Sequence, residues 1–169
     1  ILTSDEQVVV LPNMRAGCSM ADMATLTEVE SAWTTLLEEA GLDDPIDRED
    51  PTAVAGSDEK FLVPVTYMNS SADLKDFVGR HGGIVCTSSN AQGVLNWAFE
   101  RAGKDGAVLF FPDQHLGRNT GNAMGISLDL MPTWTPGIGA MGELKGSRII
   151  LWHGFCSVHK RFTPEQIVD

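Results

Sequence analysis

Short apolar runs alternate along this chain with segments whose apolar residues recur every three or four positions. The runs are nearly free of charge, which is typical of strands buried on both faces of a sheet. They cover residues 7–11, 61–67, 84–86, 107–111 and 148–152. The helical segments cover residues 19–26, 27–40, 71–78, 90–102 and 116–125, and a last helix is predicted to begin at residues 163–165. Strands alternating with helices predict an α/β fold of three layers, αβα, around a mostly parallel sheet.

Local signals refine this outline. Thr27 and Glu30 fit the capping box T-x-x-E at a helix start, and Gly41 fits its end. Pro64 predicts an edge strand or an irregularity at residues 61–67, because proline cannot donate a ladder hydrogen bond. Residues 130–146 are rich in Gly, Pro and Met and predict no regular element.

Composition and charge narrow the class of protein. The 169 residues suffice for one compact domain or two small ones. A formal net charge of −11 argues against binding to nucleic acid or to an anionic membrane, and no apolar run approaches the roughly 20 residues of a membrane span. Eleven of the 23 acidic residues, but only one base, lie between residues 28 and 59. Residues 42–60 therefore predict an exposed loop or insertion.

The three cysteines are sparse and odd in number, which is not the pattern of a disulfide framework. A reducing, cytoplasmic setting with free thiols is the simpler prediction. Cys86 ends an apolar run and is predicted to be a buried small hydrophobe. Cys18 lies in a Gly-Cys-Ser turn at a predicted helix start, where the positive end of the helix favours a thiolate.

Ligands of doubly wound sheets bind at the carboxyl ends of the strands, so the loops that follow the five predicted strands are candidate site loops. They combine small residues with polar donors and cover residues 12–19, 67–71, 87–90, 112–117 and 153–159. The starts at residues 70–71 and 87–90 suit carboxylates or phosphates, although ordinary helix N-caps have the same residues.

Histidines and tryptophans add further candidates. The pattern His153-x-x-Cys156-x-x-His159 offers donors for a metal ion or a Cys–His nucleophile pair. His115 is a candidate ligand contact, whereas His81 is predicted at an exposed helix end. The spacing of Trp33 and Trp97 on apolar helix faces predicts that both lie in the core.

The five loops together resemble the quinolinate synthase family. The matching segments are LPNMRAGCSMADMA at 11–24, VPVTYMNSSADLK at 63–75, CTSSNA at 86–91, LFFPDQHLGRNTG at 109–121 and LWHGFCSVHKRFT at 151–163. Each segment is short, but their order and joint occurrence are specific. The resemblance implies a Rossmann-like domain and the condensation of iminoaspartate with dihydroxyacetone phosphate to quinolinate, a step of de novo NAD biosynthesis.

The family resemblance also implies a site. Its [4Fe–4S] cluster is held by three cysteines and leaves one iron open as a Lewis acid. Cys18 and Cys156 correspond to two ligands, and the third would lie outside this chain. Tyr67, Asn69, Ser88 and His159 correspond to substrate contacts, with Tyr67 and His159 as the catalytic pair.

Members of the family are longer than this chain and contain three similar α/β domains. Residues 1–60 then correspond to the end of a first domain with the acidic insertion, and residues 61–169 to a second domain. The isolated chain is expected to be inactive, because flanking parts of the site are missing. L-aspartate oxidase is a candidate partner, no nucleic-acid or membrane partner is expected, and the oligomeric state stays open.

Two other hypotheses on the function are compatible with the sequence. One is a non-catalytic α/β binding or scaffold module that keeps the loops but lacks a complete cluster site. The other is a Cys–His hydrolase or transferase that uses Cys156 and His159, although the sequence shows no evident oxyanion-hole motif.

Overall fold

The computed structural model describes residues 18–161 together with residues 163 and 166. The strand predicted at residues 7–11 lies outside this part of the chain, as does most of the helix predicted from residues 163–165. No helix within the described ranges combines the length and the hydrophobicity that a transmembrane segment requires.

Four helices and six strands make up the described fold. The helices are α1 Leu26–Ala40, α2 Ala72–Arg80, α3 Ala91–Ala102 and α4 Gln114–Ala123. The strands are β1 Leu62–Tyr67, β2 Ile84–Cys86, β3 Ala107–Phe111, β4 Thr133–Thr135, β5 Gly139–Met141 and β6 Ile149–Trp152. They form one sheet in the order β2-β1-β3-β6-β4-β5, in which only β5 is antiparallel to its neighbour. The mostly parallel α/β fold predicted from the sequence is therefore confirmed.

The sheet buries side chains on both faces, and this explains the continuous apolar runs. Helices α1 and α2 cover one face, and α3 covers the other together with part of α4. Alternate residues of β3 and β6 point to opposite faces, as the period of two in a strand requires. The first face includes Leu62, Leu109, Phe111, Ile150 and Trp152. The second includes Val63, Val65, Val108, Phe110, Ile149 and Leu151.

The N-cap of helix α1 is Thr25, two residues before the predicted Thr27, so the predicted capping box is wrong. Thr25 and Glu28 form the capping box: the Thr25 N–H donates to Glu28 Oε2 over 3.1 Å, and the Glu28 N–H donates to Thr25 Oγ1 over 3.3 Å. Two overlapping T-x-x-E patterns occur here, and the first adds Leu26 to the buried cluster. The helix predicted at residues 19–26 reduces to a 3-10 turn, Ala21–Met23.

Pro64 lies in an interior strand, so the edge prediction for this residue is wrong. β1 has β2 on one side and β3 on the other. The N–H groups of Leu62 and Met68 point to the β2 side, where Met68 donates to the Cys86 carbonyl over 2.8 Å and Leu62 to the Asp43 carbonyl over 3.0 Å. Pro64 is two residues from Leu62, so its nitrogen faces the same side of the strand. It precedes the point at which β2 begins to pair with β1, so the N–H group that proline lacks would have no β2 partner there. The sheet therefore accepts the proline without losing a ladder bond.

Residues 130–146 contain the β4–β5 hairpin, which the sequence analysis did not predict. Each strand covers only three residues, too few for a periodic pattern. Pairing with β6 creates β4, with Trp134 opposite Trp152 in register. Helix α4 also begins earlier than predicted, because Asp113 Oδ1 accepts hydrogen bonds from the backbone N–H groups of His115 (2.8 Å) and Leu116 (3.4 Å).

The acidic residues 42–60 are mostly exposed, as predicted, but contacts tie them to the fold. They contain one 3-10 turn, Pro45–Asp47. The Arg48 guanidinium donates to the Ala53 carbonyl over 2.7 Å and lies 4.7 Å from the centre of the Phe61 ring. His81 is only 8% exposed and bonds to Asp44, so its predicted exposed position is wrong.

The two tryptophans assigned to the core differ in burial. Trp33 is buried within the cluster that joins α1 to the sheet, as predicted. Trp97 is only half-buried, with the Arg101 guanidinium 3.8 Å from its ring centre. Helix α1 thus shares the core of residues 61–161, while the division of the whole protein at residue 60 stays a prediction.

Candidate functional site

A cavity of about 190 Å³ lies at the carboxyl edge of the parallel strands. The chain runs from β1 outward to β2 and then returns to β3 on the other side of β1. This reversal makes the gap between β1 and β3 a topological switch point, the usual ligand position in such sheets. The cavity is lined by Met20, Tyr67, Ser88, Asp113, His115, Leu116, Asn119 and His159.

Tyr67 reaches the cavity from the last position of β1, and hydrogen bonds hold the loop that follows it. The Ser70 hydroxyl donates to the Tyr67 carbonyl over 2.9 Å. The Lys75 ammonium donates to the Ser70 carbonyl over 2.7 Å. Ser71 caps α2, with its hydroxyl accepting from the Leu74 N–H over 3.2 Å. Asn69 is half-buried in this loop and does not line the cavity.

Ser88 reaches the cavity from the turn between β2 and α3. The Asn90 side chain folds back and accepts from the Thr87 N–H over 2.7 Å, so it braces the turn and does not cap α3. Ser88 is exposed. Of the two predicted N-cap loops, the first therefore caps its helix and the second shapes a turn at the cavity.

Helix α4 supplies one wall of the cavity through His115 and Asn119, which lie one helical turn apart. Asp113, only 6% exposed, fixes the helix start by the two backbone hydrogen bonds described above. Asn119 and Ser88 also border a neighbouring cavity of about 330 Å³ between α3 and α4. His115 was a candidate from the sequence and Asn119 was not, although its i, i+4 spacing from His115 could have indicated it.

The groups that line the cavity are polar but mostly uncharged. Among the described residues, Asp113 is the only carboxylate in the lining and caps α4, and no described lysine or arginine lines the cavity. Arg118, nearby on α4, donates to Gln114 Oε1 over 3.1 Å and to Thr133 Oγ1 over 2.9 Å. The described lining offers hydroxyl, amide and imidazole groups as possible contacts for an anion.

The three cysteines fall into two classes. Cys86 is fully buried, and burial raises the pKa of its thiol to about 12. Cys18 is exposed and Cys156 is half-buried, and neither lines the cavity itself. Their neighbours Ser19 and Ser157 share a 2.7 Å hydrogen bond between their hydroxyls, which brings the two cysteine-bearing segments together. Met20 and His159 extend these segments into the cavity wall.

The two accessible thiols form no complete metal site with the other described residues. Within the described residues, no cluster of three or more His, Cys, Asp and Glu side chains is arranged to hold a metal ion. The pattern His153-x-x-Cys156-x-x-His159 therefore forms no metal site here. Cys18 and Cys156 offer the soft thiolates that iron–sulfur clusters require, but another donor must complete the set.

Two close contacts connect these loops to the sheet. The Trp152 indole N–H donates to the Met23 carbonyl over 2.8 Å. Gly154 lies against the loop that follows β3, and a Cβ atom there would stand 2.1 Å from the Pro112 carbonyl oxygen. Only glycine fits at this position, because real Cβ contacts do not become so short.

Of the site residues proposed from the sequence, the structure brings Tyr67, Ser88 and His159 together in one cavity. It leaves Asn69 beside that cavity and joins the Cys18 and Cys156 segments near it. The catalytic, substrate-binding and ligand roles of these residues stay predictions.

Comparison with known proteins shows a consistent set of relatives. The family model for NadA, quinolinate synthetase A protein, matches residues 1–169. The chain is 58% identical to the quinolinate synthase of Corynebacterium glutamicum, over 99% of this chain and 38% of that protein. It is 51% identical to the quinolinate synthase of Rhodopirellula baltica, over 94% and 37%. It is 47% identical to that of Geobacillus kaustophilus, over 99% and 41%. The chain thus spans about two fifths of these relatives, and no solved structure matches it significantly.

Proposed function

This chain belongs to the quinolinate synthetase A family, and we propose that it forms part of a quinolinate synthase that acts in NAD biosynthesis. The reaction would condense iminoaspartate with dihydroxyacetone phosphate. One observation carries the proposal: Tyr67, Ser88 and His159 converge from three separate loops on one cavity at the switch point of the sheet. Convergence of side chains distant in sequence is typical of an active site.

We propose Cys18 and Cys156 as two ligands of a [4Fe–4S] cluster. Both thiols are accessible and their segments are hydrogen-bonded through Ser19 and Ser157, whereas Cys86 is buried with a raised pKa and remains outside the ligand set. The third ligand would come from a part of the protein outside this chain. When bound, the cluster would supply an iron with an open coordination position as a Lewis acid.

The residues of this chain would then bind and orient the substrates. Ser88 is exposed in the cavity, so its hydroxyl can donate to a carboxylate or phosphate oxygen. The Tyr67 hydroxyl would donate or accept a proton near the reacting carbonyl. The His159 imidazole would hold or move a proton in the same cavity, and Asn69 would extend the contacts to substrate oxygens from the loop beside it.

Other parts of the proposal concern the whole protein. Because the chain spans about two fifths of its relatives, we expect it to be inactive alone. L-aspartate oxidase is the proposed source of iminoaspartate. A reducing cytoplasm, which keeps thiols free, is the proposed location.

The ligand assignment can be tested in the full-length protein, purified without oxygen. We expect a broad brown absorbance and about four iron atoms per chain. Cys18→Ala and Cys156→Ala should each abolish both signals, whereas Cys86→Ala should retain them. Unchanged iron in both ligand variants would refute the assignment. Unaffected turnover in Tyr67→Phe and His159→Asn would instead refute the proposed site chemistry. A full-length unchanged protein without any turnover would favour a binding or scaffold module.

A further inference from the structure

We infer that Trp152 is a positioning residue whose indole N–H holds the Cys18 segment against the Cys156 loop and thereby sets the separation of the two thiols. The functional meaning of this separation rests on the proposed cluster. The geometry itself involves only residues of this chain, and it can be tested in the protein without iron.

A hydrogen bond joins the Trp152 side chain to the backbone of Met23. Trp152 ends β6 and is fully buried, and its N–H donates to the Met23 carbonyl over 2.8 Å. A buried N–H without a partner is costly, so the side chain fixes the backbone position of Met23. The two residues are 129 positions apart, and therefore the contact is purely tertiary.

A short turn connects Met23 to the first cysteine, Cys18. Met23 ends the 3-10 turn Ala21–Met23, and the Ala21 N–H at its start donates to the Cys18 carbonyl over 2.9 Å. The Met23 N–H donates to the Met20 carbonyl over 3.1 Å. Because these bonds close a short rigid turn, fixing Met23 also fixes the backbone of Cys18 relative to β6.

Backbone hydrogen bonds also fix the start of the loop that leads from Trp152 to the second cysteine, Cys156. The Gly154 N–H donates to the Trp152 carbonyl over 2.7 Å, and the Gly154 carbonyl accepts from the Gln114 N–H over 3.0 Å. Met23 packs so closely here that its Cβ would stand 3.1 Å from a Cβ on Gly154. The loop that contains Cys156 thus leaves β6 directly against the turn that carries Cys18.

Two contacts therefore bracket the thiols. The inner one joins Trp152 to Met23 and is partly buried, and the outer one joins Ser19 to Ser157 and is exposed. Exposed hydroxyl pairs exchange readily with water, so the contact made by the buried Trp152 ring should contribute more to the geometry. A site with several ligands needs such support, since small displacements of one ligand weaken the whole set.

The chain provides a matched control in Trp134. It lies opposite Trp152 in the β4–β6 register and is 7% exposed. Its indole nitrogen has no hydrogen-bond partner among the described residues. Trp134→Phe therefore removes the same group from a neighbouring buried ring without breaking a contact to a cysteine segment.

The test compares Trp152→Phe and Trp134→Phe in the full-length protein. In iron-free protein, dibromobimane cross-links two nearby thiols, and peptide mapping identifies the Cys18–Cys156 product. We expect the cross-linking rate to fall roughly tenfold in Trp152→Phe, the factor that corresponds to one buried hydrogen bond, and less than twofold in Trp134→Phe. In iron-loaded protein, Trp152→Phe should release iron to a chelator roughly tenfold faster and change the electron paramagnetic resonance signal of the reduced cluster.

A second variant covers the case in which Trp152→Phe does not fold. Benzothienylalanine at position 152 keeps the shape of the ring and replaces the N–H with sulfur, so any effect then reports the hydrogen bond. An unchanged cross-linking rate in either variant of position 152, provided that the variant folds, overturns the inference. Loss of cross-linking in a protein that never binds iron supports the inference while refuting the proposed cofactor, so the two failures are distinguishable.

Discussion

The Nδ1 atom of His81 lies 2.9 Å from both carboxylate oxygens of Asp44. An ionised carboxylate only accepts hydrogen bonds, so Nδ1 carries the hydrogen. Asp44 also accepts from the Trp33 indole N–H over 2.7 Å, and the His81 ring lies 4.2 Å from the centre of the Phe77 ring. This network joins the acidic residues 42–60 to α1 and to the end of α2, and explains why that region is ordered despite its charge.

The Asp44 network predicts acid sensitivity. Burial alone raises the pKa of Asp44, but the hydrogen bonds from His81, Ile46 and Trp33 outweigh it, so the net pKa lies below the usual value. A lowered pKa in the folded state contributes stability that is complete above the unfolded pKa of about 3.9 and is lost as the pH falls through the folded pKa. The free energy of unfolding should therefore decrease below about pH 4.

Replacement of the carboxylate checks this prediction. We expect Asp44→Asn to lower the free energy of unfolding at neutral pH by about 2 kcal/mol, since the variant breaks a charge-assisted, largely buried network. The variant should also show a weaker dependence on acid, measured by urea denaturation across the acidic range. Asp47→Asn, at an exposed position of the same region, is the control. Equal acid sensitivity of Asp44→Asn and the unchanged protein would contradict the prediction.

Gly154 should tolerate no side chain. Its Cβ would stand 2.1 Å from the Pro112 carbonyl oxygen, so Gly154→Ala must displace either the loop after β3 or the one containing Cys156. We expect a loss of about 2 kcal/mol of stability, within the range of overpacking effects. Gly93→Ala is the control, because nothing lies within 4 Å of the new methyl group in α3. The control should gain about 0.5–1 kcal/mol through helix propensity. Thermal unfolding measures the stability of both variants. A Gly154→Ala variant as stable as the unchanged protein would show that the two loops adjust freely.

The cysteines should differ in reactivity towards iodoacetamide. Cys86 is fully buried and burial raises its pKa to about 12, so it should react only after unfolding. Cys18 is exposed and should be modified first in iron-free protein, with half-buried Cys156 next. Mass spectrometry of the labelled peptides against time gives the order. Modification of Cys86 in folded protein as rapidly as of Cys18 would argue against the packing of β2.

Asn119 should affect substrate binding if the proposed function is right. It lines both the main cavity and its neighbour, while Asn122 on the same helix is exposed and lines neither. Asn119→Ala should raise the KM for at least one substrate roughly tenfold, because one hydrogen bond to a polar ligand would be lost. Asn122→Ala should remain within about twofold of the unchanged protein. Steady-state kinetics of the full-length enzyme give the KM of each variant. Equal effects of Asn119→Ala and Asn122→Ala would refute a role of Asn119 in substrate binding.

The continuous apolar runs predicted most of the central sheet. Residues 107–111 match β3 because that strand is buried on both faces, and such strands need no alternation. Residues 84–86 match β2 by their apolar run alone, since β2 is an edge strand in which Val85 is exposed. The loops at the carboxyl ends of these strands also predicted the cavity, since parallel strands present those ends at one edge. The family resemblance also proposed Tyr67, Ser88 and His159 as site residues; all three line this cavity, and their roles stay predictions.

Other features could not be read from local sequence. The hairpin of β4 and β5 exists because Trp134 finds a register opposite Trp152, a pairing between distant segments. His81 is buried because Asp44 accepts its N–H, although both residues are normally exposed. Pro64 fits an interior strand because its neighbour begins after it.

The sequence by itself thus determined the α/β class, the family and the loops that border the candidate cavity, because the hydrophobic period and the local motifs are local properties of the chain. The tertiary structure alone decided which distant groups come together: Asn119 and Ser88 line one cavity, Ser19 bonds to Ser157, and Trp152 bonds to Met23. Such contacts depend on how the strands are ordered in the sheet and on which loops pack at its edge, and neither leaves a period in the sequence.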